Sequence, residues 1–254
     1  MASLCYAKEN GLVVLRVVNV PTSTIARESD VTAPTLAAPE IGVVSTKAFT
    51  CHLSILACLS LAFGRTKDPL SPERATKLVT SLMAVPGLMA KALKREPQTE
   101  QLAAHLSRAR DVLYLGRGAT YPLAMEGALN LKEISYIHAE GNAEGELKRG
   151  PIALIEEDMP VIVIAPFDPV FEKALSNKQE VAARGGRIIL IADQRGEHES
   201  SIEIEALITM AEMEPDFAPI VYAVPEEQIN YYTAAQMGKD VAQPRKLAKR
   251  VAVK

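Results

Sequence analysis

Long uninterrupted apolar runs are missing from this chain of 254 residues. None approaches the roughly 20 residues a helix needs to cross a bilayer. Cysteine is scarce as well. Cys5, Cys51 and Cys58 are spaced for neither a zinc site nor a disulfide framework, and they read as small buried apolar side chains in a reducing cytoplasm. Positive charge is not in excess: the net charge of -3 supplies no field for nucleic acid or an anionic membrane surface. The opening MASLCYAKENG has no signal-peptide core, because Lys8 and Glu9 interrupt its apolar stretch. What remains is the composition of a soluble globular protein, 48% hydrophobic and 23% charged. The length suffices for one large domain or two small ones.

Residues 12–20, 159–165 and 187–193 are short runs rich in Val, Ile and Leu, bounded by turn residues, as buried parallel strands are. Residues 112–115 form a weaker fourth. Helical patterns separate them at 46–63, 122–137 and 169–184. This alternation predicts an α/β fold with a parallel sheet flanked by helices. Residues 65–110 read as helix only, a connector that starts with Ser71 as N-cap and Pro72 in the first turn and is split at Pro86-Gly87. AKENGLVVLRVVNV (residues 7–20) lines up with AARGGRIILIADQ (182–194): a helix end, a Gly turn and a strand in each. If these are copies of one unit, the first begins part-way through the design, and its strand has an uncovered edge. The alternative is the generic strand–helix pattern.

Chemistry concentrates in residues 115–155. A strand there ends in Gly116-Arg117-Gly118 before a helix, where α/β folds place ligands and where a helix N-terminus favours phosphate. It is equally readable as a tight turn. The helix then carries Glu126, Asn130 and Glu133 at i, i+4 and i+7 on one face. That face is either a site for a general base or an exposed polar stripe. Glu146 to Pro151 is a charged turn. The basic tail AQPRKLAKRVAVK offers a lysine amine whose pKa neighbouring cations would lower, or else a solvated chain end.

EIGVVSTKAFT (40–50), LGRGATYPLAMEGALNLKEISYIHAE (115–140), GELKRGP (145–151) and DVAQPRKLAK (240–249), together with NVPTSTIARESD (19–30), resemble the glucosamine-6-phosphate synthase family, the isomerising glutamine–fructose-6-phosphate aminotransferases. The likeness runs over nearly the whole chain in the family's order. It implies sugar isomerase (SIS) domains: a partial first domain at 1–64, the connector at 65–110, a complete second domain at 111–235 and a tail at 236–254. It also implies that the glutaminase domain and the first domain's Ser/Thr-rich phosphate loop lie outside this chain, so the isolated chain is expected to be inactive. A non-catalytic sugar-phosphate-binding module and the remnant of a disrupted gene are the alternatives.

By the resemblance Glu133 moves the proton between C1 and C2 of the sugar, and Lys249 forms a Schiff base with the open-chain ketose. Val43, Ser45 and Ala248 line the sugar site. The partner is fructose-6-phosphate or glucosamine-6-phosphate, with a homodimer as an open option, and no cofactor, metal, nucleic acid or membrane is expected. There are departures. Asn130 replaces a family lysine, and Arg149 replaces the histidine of sugar ring opening, although a guanidinium does not exchange protons near neutral pH. Ala242 stands where the tail motif has aspartate. EEQINYYTAAQ (226–236) is more polar than the apolar helix expected there.

Overall fold

The structure, a computed structural model, describes residues 1–67, 70–199 and 204–245. The chain divides into two compact units, Met1–Ile41 with Ser45–Ala75, and Gly42–Val44 with Thr76–Lys254.

The first unit holds α1 (Ala2–Glu9), β1 (Leu15–Val18), α2 (Thr24–Glu28), β2 (Val31–Pro34) and α3 (Thr46–Lys67). β1 and β2 pair in parallel, from Leu15 opposite Val31 to Val18 opposite Pro34, as a two-stranded sheet. Neither strand contains a buried residue. Ser23 caps α2 by accepting from the Ala26 N–H at 3.2 Å. Among the described residues one helical stretch, Thr46–Thr66 of α3, is long and apolar enough by composition to cross a membrane, and only 11% of it is buried. Its polar residues interrupt every consecutive apolar run, yet its mean hydropathy of 1.4 reaches that level by composition. The cysteines depart from expectation: Cys5 and Cys58 are exposed and Cys51 is half-buried, because α1 and α3 have little packed over them.

The second unit begins with α4 (Pro72–Leu93) and α5 (Glu96–Leu106). Ser71 caps α4, accepting from the Arg74 N–H at 3.2 Å. The split expected at Pro86-Gly87 does not occur: α4 runs through both, and the chain turns at residues 94 and 95 instead. Proline removes one backbone donor, yet the buried Leu78, Val85 and Ala92 hold one face of the helix in place on either side of it.

There follow β3 (Asp111–Gly116), α6 (Tyr121–Ser135), β4 (His138–Ala143), β5 (Pro160–Ile164), α7 (Phe171–Ala182), β6 (Arg187–Asp193), α8 (Gln194–Glu199), β7 (Ala206–Met210) and α9 (Ala218–Gln236). The sheet is five-stranded and wholly parallel, ordered β4-β3-β5-β6-β7. The α/β fold with a parallel sheet flanked by helices, read from the sequence, is therefore present. β5 is buried along its whole length and β6 beyond its first residue. One sheet face, with Leu113, Val161, Val163, Ile188 and Leu190, packs with Phe171, Ala174 and Val181 of α7. On the other face Tyr114 reaches α9 and α6. β3 is where the strand order reverses, since β4 lies on one side of it and β5 on the other. The loops beyond the carboxyl ends of β3 and β5 thus form the crevice in which such sheets hold ligands.

Part of the polar stretch of α9 is buried, although Tyr231 is 50% exposed. Tyr114 Oη donates to Asn230 Oδ1, and Asn230 Nδ2 donates to the Gly127 carbonyl at 3.0 Å and to Glu226 Oε1 at 2.6 Å. Thr233 Oγ1 donates to the Ile229 carbonyl at 2.7 Å. Glu226, Asn230 and Thr233 are all buried. Most of these buried polar atoms bond to one another or to backbone, which lowers the cost of burying them, while Glu226 Oε2 has no hydrogen-bond partner among the described residues.

Candidate functional site

The turn after β3 is set by close packing. A Cβ at Gly116 would collide with the Thr120 backbone, and Gly118 has φ +57°. Thr120 Oγ1 accepts from the Arg117 N–H at 3.0 Å and lies 3.0 Å from the Ile164 carbonyl, tying the turn to the end of β5. The turn leads directly into α6, with Pro122 in its first turn.

α6 brings Glu126, Asn130 and Glu133 to one face, and it is not a solvated stripe. Asn130 is 3% exposed, and its Nδ2 has no hydrogen-bond partner among the described residues. Glu126 and Glu133 are half-buried. Burial raises the pKa of Glu133 above the ordinary carboxylate range. Glu126 is raised too, first by burial and then by the charge of Glu133, against a weaker opposing effect of the Asn130 amide. Burial also raises Glu226, on the far side of α6, well above its usual value, with Glu227 and Glu126 adding to the shift. A face of carboxyl groups with raised proton affinity is chemically suited to accept and return a proton.

α6 comes very close to its neighbours at two glycines. A Cβ on Gly127 would come 2.6 Å from Glu226 Oε1 and 2.8 Å from Tyr114 Cε1, and one on Gly141 of β4 would come 2.5 Å from the Met125 Cα. The helix ends at Tyr136, whose φ of +69° is a left-handed cap. Tyr136 receives part of the tail: the Arg245 N–H donates to Tyr136 Oη at 2.8 Å, and the Arg245 guanidinium lies 4.5 Å from the ring centre. No local pattern in the sequence pairs these residues, which lie 109 positions apart.

Arg149 sits at the end of the 3-10 segment Glu144–Arg149 that follows β4. Its side chain is 79% exposed, with an ion pair to Glu146 at 3.0 Å. Val43 is half-buried and groups with the second unit. Ser45 is exposed in the first, its Oγ donating to Glu40 Oε2 at 3.1 Å. Ala248 and Lys249 lie outside the described residues, as does most of the basic tail. No group of three or more His, Cys, Asp or Glu side chains among the described residues is placed to hold a metal ion.

Residues 105–237 match the SIS domain family. The whole chain is 60% identical over 253 residues to the glutamine–fructose-6-phosphate aminotransferase (isomerizing) of Bradyrhizobium diazoefficiens. It is 56% identical over 254 residues to that of Agrobacterium fabrum. It spans 42% of the length of each of these relatives. The C-terminal domain of glucosamine–fructose-6-phosphate aminotransferase from Francisella tularensis superposes with a TM-score of 0.92 at 39% identity, covering 95% of this chain and 68% of that one. The chain belongs to the glutamine–fructose-6-phosphate aminotransferase family. Within this aminotransferase family it corresponds to the C-terminal, SIS-bearing region, and α6, the 144–149 segment and the Tyr136–Arg245 anchor all lie inside the unit that holds the SIS match.

Proposed function

We propose that this region holds a hexose phosphate, fructose-6-phosphate or glucosamine-6-phosphate, beside Glu133, the position that in the family moves a proton between adjacent sugar carbons. The observation that carries this reading is the anchoring of Arg245 on Tyr136, three positions beyond Glu133. Four more residues lead to Lys249, and four extended residues reach at most about 14 Å. The tether bounds how far the amine proposed to form a Schiff base can lie from Tyr136, which supports pairing it with the carboxylate proposed as base. Aldose–ketose isomerisation needs that pair: one carboxylate over two neighbouring carbons and an electrophile that polarises the carbonyl. Glu133, with its pKa raised by burial, suits the first role. Val43, Ser45 and Ala248 are proposed as sugar contacts and a homodimer as the assembly. The cytoplasm, where free thiols and phosphorylated sugars coexist, is the proposed compartment.

Two residues limit turnover by these 254 residues. Arg149, exposed and paired with Glu146, has no proton to exchange for ring opening. Asn130 places a neutral amide among carboxyl groups where the family has a cation. We therefore propose binding of the sugar phosphate without conversion. Calorimetry with fructose-6-phosphate tests the first part: saturable binding is expected, weakened at least about tenfold in Glu133→Ala, and absence of binding would remove the site. A coupled assay tests the second. Glucose-6-phosphate formed faster than in the Glu133→Ala control would restore catalysis to this chain.

A further inference from the structure

Away from the face that carries Glu133, the carboxyl ends of β3 and β4 enclose two buried charges that no role described so far uses. Glu144, the first residue after β4, is 1% exposed, and neither of its carboxylate oxygens has a hydrogen-bond partner among the described residues. Lys178 of α7 is also 1% exposed, its Nζ likewise without a partner and lying 4.9 Å from the centre of the Phe171 ring. The two sense each other's charge, and neither makes a direct ion pair with the other. A cavity of about 270 Å³ opens beside Glu144, with Arg117, Lys148, Lys173 and Glu180 on its walls.

Other contacts define what the pair joins. The Glu144 carbonyl accepts from Asn177 Nδ2 at 2.9 Å, and Lys148 pairs with Glu180 at 2.6 Å. Segment Glu144–Arg149 is therefore fastened to α7 at its start and near its end, and the buried pair lies under the first fastening. We propose that Glu144 and Lys178 form a protonation-controlled joint between this segment and α7, which loosens when both side chains carry charge and so frees the segment that bears Arg149. The joint stands on the burial and pairing above. The sugar-site reading enters only in what a freed Arg149 does.

The groups that face the pair come from each neighbouring element: Arg117 after β3, Asp168 after β5, and Lys148, Lys173 and Glu180 at the cavity wall. Burial pushes Glu144 up to about 7, against the lowering charges of Arg117 and Lys178. Burial pulls Lys178 down to about 8, against the raising charge of Glu144. Glu144, with a raised value, strengthens the closed joint fully below 4.5 and loses that contribution as pH rises through about 7. Lys178, with a lowered value, strengthens it above 10.5 and loses that contribution as pH falls through about 8. The closed joint is weakest between about pH 7 and 8. Each shift of about 2.5 units sets a ceiling of about 300-fold on the change in opening.

Hydrogen exchange of the full chain from about pH 5 to about pH 10, corrected for intrinsic rates, reads the opening of residues 144–150. Opening at least about tenfold greater at pH 7 to 8 than at either extreme is expected. The double variant Glu144→Leu/Lys178→Met should fold and show no such maximum, because apolar replacement of both partners leaves no stranded charge. A flat profile in the unaltered chain, or a maximum that persists in the double variant, would overturn the joint. Carboxyl carbon-13 titration of the unaltered chain needs no variant: a Glu144 midpoint near 7 is expected, and one near 4.5 would overturn it as well. Because neither readout involves sugar, failure here is separable from failure of the calorimetric test.

Discussion

β1 and β6 share one local design and differ in their neighbours. Each follows a helix and a glycine with positive φ, Gly11 at +68° and Gly185 at +81°. β6 lies between β5 and β7 and is buried beyond its first residue. β1 has β2 as its one partner, and no residue of either strand is buried. A strand's form is thus encoded locally, whereas its burial depends on what its neighbours cover. The lesson extends to helices: α7 packs its apolar face onto the sheet, while Leu56 of α3 stays 50% exposed.

The most severe test of this contrast is hydrogen exchange in the two strands. Amides of β6 should exchange only on opening of the whole second unit, those of β1 by local opening, at least about a thousandfold faster. Equal protection would break the comparison. Substitution sharpens it next. Leu190→Ala, in the fully buried part of β6, should cost about 2–5 kcal/mol in denaturant unfolding, whereas Leu56→Ala should stay within about 0.5 kcal/mol of zero. A large loss at Leu56 would mean that α3 is covered in solution.

Inside the second unit Gly127→Ala should cost about 1–3 kcal/mol, because the added carbon meets Glu226 and Tyr114 in a filled core. The smallest effect is a pH dependence. Glu226 has a raised pKa, so its contribution is fully present below 4.5 and is lost as pH rises through its folded value. Glu226→Gln keeps the hydrogen-bonding shape without the charge. Its thermal midpoint should gain on that of the unaltered chain as pH rises above 4.5, and a constant difference would contradict a buried, neutral Glu226.

β5 and β6 were legible because strands covered on both faces must be apolar throughout, and their Val- and Ile-rich runs say so. β4, His138–Ala143, was not: an edge strand carrying Glu140, Gly141 and Asn142 has no such run. The split at Pro86 failed because packing on both sides outweighs one lost backbone bond. The cysteines misled because composition alone does not say which side of a helix is covered. At the site, the spacing of Glu126, Asn130 and Glu133 gave their common face, since helix geometry converts spacing into position. Glu226 and Asn230 were visible only as unexpected polarity, for nothing local says that their partner is Tyr114. Lys178, on an otherwise solvated-looking helix, and Tyr136 with Arg245 depend on contacts between distant parts of the chain.

The two glycines against α6 have a further consequence. On the Gly141 side the helix meets main chain, and on the Gly127 side the bonded side chains of a buried network, so neither glycine position has room for another carbon. The position of α6, and with it Glu133, therefore depends on these two close approaches as well as on the core residues around them. The places least free to change around the site are the two that carry no side chain.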